Sequence, residues 1–218
     1  PESQRGRVSE PKEFSTGLTV RDVAVARGGR TILEGASFDL APGAALFVKG
    51  ANGSGKTTLL RALAGLAPIE TGEAHLTPEG SSPAARRAAI VYCGHANAVK
   101  AAVSGRANLA FWATLYGAPK DRTEAAIEAF DLAAFVDAPA GALSQGQRRR
   151  LALSRLILSA KPLWLLDEPS AAIDAASAAR LSAVIAAHRA RGGAVMVATH
   201  DGMEIDGART LTVHARAA

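Results

Sequence analysis

Ala44-Ala45-Leu46-Phe47-Val48-Lys49-Gly50-Ala51-Asn52-Gly53-Ser54-Gly55-Lys56-Thr57-Thr58 is the stretch on which the fold turns. Residues 44–48 are an apolar run of strand length that leads directly into Gly50. Residues 50–57 match the pattern G-x-x-x-x-G-K-[ST] of a phosphate-binding loop, and a helix is expected from 56 to about 66. The order strand, glycine-rich loop, helix carries the reading. Small residues let successive backbone N–H groups turn inward around an anion, and a helix N-terminus adds partial positive charge. In that setting Gly50, Ala51, Asn52, Gly53, Ser54 and Gly55 form a cradle. Lys56 should reach the β- and γ-phosphates of a nucleoside triphosphate, the Thr57 hydroxyl should ligate Mg²⁺, and Thr58 can add a phosphate contact.

Working outward, residues 18–25 alternate apolar and polar as a half-buried strand does. Arg27-Gly28-Gly29-Arg30 is a turn, and 36–40 is a second strand. Further apolar strand patterns fall at 88–92, 162–166 and 194–198, with an edge strand expected at 210–214. Between 101 and 160 strand patterns give way to alanine-rich helical ones, among them 122–135 and 147–158, and 177–191 is again helical. Strand–helix alternation implies a largely parallel sheet flanked by helices. The expected layout is an α/β domain over 18–215 with a helical insertion at about 96–160, preceded by a flexible polar lead over 1–17.

At 218 residues the chain suits one large domain and is short for two. No stretch approaches the roughly 18 consecutive apolar residues of a membrane-spanning helix, so a transport role would require a separate membrane partner. Cys93 is the only cysteine, which excludes an internal disulfide; it reads as a small buried apolar residue. The net charge is +5. Arginines are spread along the chain and do not interleave with aromatic residues as a single-strand binder requires, so no nucleic-acid partner is expected.

Two further motifs carry chemistry. Leu163-Trp164-Leu165-Leu166-Asp167-Glu168 is an apolar strand delivering carboxylates to its C-terminal end, where α/β sheets bind ligands. Asp167 is placed to orient Mg²⁺ through its waters, and Glu168 to polarise an attacking water. Leu143-Ser144-Gln145-Gly146-Gln147 precedes a helix. Ser144 and the Gly146 amide can make a second anion site there, although Ser144 alone also reads as a plain N-cap.

The order of these motifs, followed by Ser170-Ala171-Ala172-Ile173-Asp174 and then Thr199-His200-Asp201, resembles the ABC ATPase family from about residue 18 onward. The resemblance implies a P-loop NTPase fold of ABC ATPase type: a RecA-like, mostly parallel sheet, an inserted helical subdomain and an N-terminal antiparallel β portion. It also implies ATP hydrolysis and two copies packed head to tail, each ATP lying between the phosphate loop of one copy and Ser144, Gln145, Gly146 and Gln147 of the other. Asp174 would belong to the D-loop coupling the two sites, and His200 would contact the γ-phosphate. Arg148, Arg149 and Arg150 then read as the start of the signature helix, partly a solvated face.

Two positions depart from the family pattern. Arg27 stands where many members carry an aromatic residue against adenine; a guanidinium can stack there, or Arg27 is a solvated turn residue. Members usually have a glutamine after the strand at 88–92; here Tyr92-Cys93-Gly94 leads to His95, the candidate to take over its work beside Mg²⁺ and water. With the run 92–100 and Asn108-Leu109, these departures resemble the haem-exporter ATPases of the bacterial cytochrome c maturation system. That resemblance implies an integral-membrane permease partner, a place on the cytoplasmic face of the bacterial inner membrane, and an ATP cycle tied to release of haem-loaded chaperone. An ABC ATPase for another solute, or a permease-free iron–sulfur-assembly type, stays open.

Overall fold

A computed structural model describes residues 13–200 and 203–214. The first hairpin pairs β1 (Gly17–Arg27) with β2 (Arg30–Leu40). Gly28 and Gly29 take φ of 61° and 75°, the left-handed pair that a two-residue hairpin turn needs. β4 (Thr71–Thr77) adds to the other side of β1, giving an antiparallel sheet of order β2-β1-β4. The second sheet is parallel, of order β5-β6-β7-β3-β8, built from β3 (Ala45–Lys49), β5 (Ile90–Cys93), β6 (Leu163–Asp167), β7 (Ala194–Ala198) and β8 (Arg209–Thr212). The α-helices among the described residues are α1 (Lys56–Leu63), α2 (Pro83–Ala89), α3 (Gly105–Tyr116), α4 (Asp121–Ala129), α5 (Gln145–Leu158) and α6 (Ala175–Ala190). Helices α3, α4 and α5 all fall between β5 and β6, and they pack on one another.

The parallel strands are buried on both faces, which is why they read as continuous apolar runs. In β6, Leu163 and Leu165 enter a core shared with α1 and the antiparallel sheet, while Trp164 and Leu166 enter a second core with α3 to α6. β7 divides in the same way, Ala194, Met196 and Ala198 against Val195 and Val197. Each fully buried leucine contributes about 1.5–3 kcal/mol from area removed from water. Parallel pairing of β6, β7 and β3 brings their C-terminal ends to one edge of the sheet, where Gly50, Glu168 and His200 follow.

The structure revises several boundaries. α1 ends at Leu63 rather than near 66: Gly65 takes φ 72°, and a Cβ there would come within 2.6 Å of the Pro83 carbonyl oxygen. β2 starts at Arg30, six residues before the expected 36. β4 and α2 were not anticipated. β4 places only Ala74 and Leu76 in the core, too few for a pattern, and residues 88–89 finish α2 instead of opening β5. The helix expected over 122–135 stops at Ala129, with Asp131 left-handed at φ 52°. Most of the polar lead, residues 1–12, lies outside the described residues. Within residues 13–17 the Phe14 amide donates to the Arg191 carbonyl at 2.9 Å, Thr16 is buried and Gly17 opens β1.

Candidate functional site

The glycine-rich loop sits between β3 and α1. Gly50 is at φ 158°, and a Cβ there would run into the Val213 carbonyl and come 2.6 Å from Ser54 Oγ. Gly53 and Gly55 have φ of 83° and 94°, and a Cβ on Gly55 would touch Leu33 Cβ at 3.0 Å. The glycines are therefore required by backbone conformation and by close approach. Lys56, the first residue of α1, is buried. Its ammonium donates to the carbonyls of Gly50 at 2.7 Å and Ala51 at 3.1 Å. An ammonium has three donors, so these two bonds hold it across the loop mouth with one donor left for an anion.

Asp167 ends β6 and is buried. The Thr57 hydroxyl donates to its Oδ1 and the Tyr92 hydroxyl to its Oδ2, both at 3.2 Å. Burial, together with the neighbouring Asp167 carboxylate, pushes the Tyr92 phenol well above its ordinary pKa, so Tyr92 stays a donor. A hydroxyl and a carboxylate side by side are hard oxygen ligands. A small divalent cation that keeps several waters and shares phosphate oxygens asks for few more from the protein.

Glu168 follows with φ 47°, a left-handed conformation that costs a non-glycine residue about 1–3 kcal/mol. Its amide donates to the Ala198 carbonyl at 2.8 Å, tying it to the end of β7. From β7 the chain reaches His200, whose Nδ1 lies 2.9 Å from Glu168 Oε1. Glu168 Oε2 is buried and has no hydrogen-bond partner among the described residues. A carboxylate at the cleft can act as a general base toward a water.

These groups line one cleft of about 340 Å³: Asn52, Gly53, Gly55, Lys56, Thr57 and Thr58, together with Arg27, Ile32, His95, Asp167, Glu168 and His200. Gly50, Ala51 and Ser54 shape the loop behind it. Ser144, Gln145, Gly146, Gln147 and Asp174 are not among the residues lining this cleft. Ser144 caps α5 in a capping box with Gln147: the Gln147 amide donates to Ser144 Oγ at 3.2 Å and the Ser144 amide to Gln147 Oε1 at 2.8 Å. Asp174 caps α6, accepting from the Ser177 amide at 2.7 Å, and that bond holds its carboxyl below the usual range. The two segments meet at Gly146, where a Cβ would stand 2.8 Å from the Ala172 carbonyl oxygen. Asp201 lies outside the described residues.

Arg149 corrects the sequence reading. It is not on a solvated face but 3% exposed, with its guanidinium bonded around the ends of β5 and β6. Arg150 is partly covered, 4.9 Å over the Phe135 ring and paired with Asp131. Tyr92 and Arg149 are the site residues that sequence reasoning missed. A signal existed for Arg149: it keeps i, i+3, i+7 spacing with the buried Ala152 and Leu156, on the face that an amphipathic helix turns inward.

The ABC transporter family profile matches residues 33–171. The chain belongs to the ABC transporter family, and it is an ATP-hydrolysing subunit. More particularly, it is 50% identical over 183 residues to the "Cytochrome c biogenesis ATP-binding export protein CcmA" of Cereibacter sphaeroides, covering 84% of this chain and 82% of that one. It is 46% identical over 183 residues to the protein of the same name from Paracoccus denitrificans, with the same coverage. The fold is similar to a solved "ATP binding subunit of ABC transporter", with TM-score 0.80 at 20% identity over 90% of this chain and 85% of that one.

Proposed function

We propose that the chain is the ATPase subunit of an export complex in cytochrome c biogenesis, acting on haem or its chaperone through a membrane partner. The observation that carries the catalytic part is the convergence of Lys56, Thr57, Asp167, Glu168 and His200 on one cleft. In this reading Lys56 and the loop amides hold the β- and γ-phosphates. Thr57 and Asp167 hold Mg²⁺, which supplies charge neutralisation on the phosphates when bound. Glu168 receives the proton of the attacking water on its carboxylate, and His200 steadies that carboxylate and faces the γ-phosphate. Arg27 stacks on adenine, and His95 reaches toward the metal and water.

Ser144 to Gln147 and Asp174 lie away from the cleft of their own chain, which supports a head-to-tail pair in which a second copy closes the site. A protein partner is supported by exposed apolar side chains. Leu66, Phe111 and Leu115 are 50%, 62% and 60% exposed. Leu66 and Leu115 line a groove of about 550 Å³ that also takes in His95, and exposed apolar surface of this kind marks interaction sites. No helix among the described residues is long and apolar enough to cross a membrane. The proposed partner is an integral-membrane permease, with this chain on the cytoplasmic face of the inner membrane.

Deleting the gene and re-supplying it tests this reading. Cells without the chain should lose covalently attached haem in their c-type cytochromes and regain it with the wild type, but not with Glu168→Gln. Normal c-type cytochromes in the deletion strain would leave the ATPase assignment intact and overturn the export role.

A further inference from the structure

The Arg149 guanidinium uses all five of its N–H donors. Nε donates to the Pro169 carbonyl at 3.3 Å, Nη1 to the Gly94 carbonyl at 2.8 Å and to Asn97 Oδ1 at 3.2 Å, and Nη2 to the carbonyls of Asp167 at 3.0 Å and Glu168 at 2.8 Å. Three of the five acceptors are the consecutive carbonyls of residues 167 to 169, centred on the left-handed Glu168. None is a carboxylate, so this is a clamp on backbone rather than an ion pair. A buried charge without a paired carboxylate is a poor way to gain stability, and an apolar side chain of similar volume would serve a plain core better. What the guanidinium provides is a rigid planar fork that one flexible ammonium cannot reproduce.

We propose that Arg149 is a positioning residue for hydrolysis: it holds the bend at Glu168 so that the carboxylate stays aimed at the cleft, and it fixes the loop carrying His95 to the same fork. A left-handed non-glycine residue relaxes unless its surroundings over-determine it. Here the surroundings are the Ala198 carbonyl on the amide side and Arg149 on the carbonyl side. Arg149 touches neither nucleotide nor water in this scheme and acts through Glu168, so the proposal rests on Glu168 being the group that activates water.

The test compares the full chain with Arg149→Lys, which keeps the charge, and Arg149→Gln, which keeps a planar donor. Rates are expressed per folded molecule from near-ultraviolet circular dichroism. For Arg149→Lys we expect kcat for MgATP to fall about 10- to 100-fold while KM stays within about 3-fold, the split of a lost positioning group rather than lost binding. Arg149→Gln, whose amide supplies two N–H donors in place of five, should also lose kcat with KM little changed, because neither substitute reproduces the fork. In a Glu168→Gln background the added Arg149→Lys should lower the single-turnover rate by less than about 2-fold, since two residues acting through one group are not additive. Arg149→Lys at the wild-type rate per folded molecule, or a full multiplicative loss on top of Glu168→Gln, would overturn the proposal. Wild-type hydrolysis by Glu168→Gln alone would instead overturn the role of Glu168 on which it rests.

Discussion

His200 Nδ1 stands 2.9 Å from Glu168 Oε1, joining the residues that follow two adjacent parallel strands. The Glu168 side chain is 17% exposed and that of His200 62%. A contact so open to water adds little stability, so its value is orientation. Glu168→Gln keeps the size and a hydrogen-bonding amide while removing the proton acceptor. Hydrolysis should fall by about 10²–10⁴-fold, with MgATP still bound through Lys56, Thr57 and Asp167. A protein that binds ATP without turning it over should accumulate as the closed pair. Size-exclusion chromatography with MgATP should then show a dimer for Glu168→Gln and mostly monomer for the wild type. Asp167→Asn should instead lose Mg²⁺-dependent binding itself. A Glu168→Gln protein that never dimerises with ATP would refute the head-to-tail pairing.

Lys56 bridges two loop carbonyls but lies outside the apolar cores. Lys56→Ala removes the ammonium placed to meet the phosphates, so MgATP binding and turnover should both collapse while the thermal midpoint barely moves. Equilibrium binding of a fluorescent ATP analogue and a melting curve check this together. Near-normal binding would refute the phosphate-loop assignment.

Arg27 ends β1 and lines the same cleft as Asn52 and Gly53. If it stacks on adenine, Arg27→Ala should raise KM for ATP about 2- to 30-fold, the scale of a cation–π contact, with kcat little changed. Arg27→Tyr should restore affinity. An unchanged KM for Arg27→Ala would make the residue a turn arginine only.

His188 is buried face to face against Trp164, ring centroids 3.7 Å apart, and its Nε2–H donates to the Pro162 carbonyl across 3.1 Å. Burial holds its pKa down at about 4, against the pull of that backbone hydrogen bond. The unfolded chain takes up the proton near pH 6.5, so between about pH 6.5 and 4 it binds more protons than the folded one. Stability from this group is therefore fully present above pH 6.5 and is lost as pH falls to about 4, by up to about 3 kcal/mol. Melting curves across that window should show the decline, and His188→Gln should flatten it. An unaltered slope in the variant would assign the acid sensitivity elsewhere.

Local and contiguous features were legible in the sequence. The glycine-rich loop with its strand and helix, the apolar run ending in Asp167-Glu168, and the capped start of α5 each depend on neighbours a few residues away. Backbone conformation and hydrophobic period therefore write them directly into residue order. The parallel sheet followed from the same runs, because strands buried on both faces have no polar alternation to hide them. β4 was not legible, since its place beside β1 is set by pairing across the sheet rather than by its own two core residues.

What only the tertiary structure decided is where distant segments meet. Residue order cannot show that Tyr92 donates to Asp167, 75 positions away, or that Arg149 turns inward to gather carbonyls from two strand ends. Nor can it show that a helix opening with three arginines buries the middle one while Arg150 lies along Phe135. A charged side chain is placed by the acceptors it finds after the chain has folded, and those acceptors are backbone carbonyls that every residue carries alike. The sequence by itself determined the phosphate loop, the acidic strand end and the family. The three-dimensional packing decided that Lys56, Asp167, Glu168 and His200 share one cleft while Ser144 stands apart from it, because the ends of β3, β6 and β7 are adjacent only once the sheet has formed.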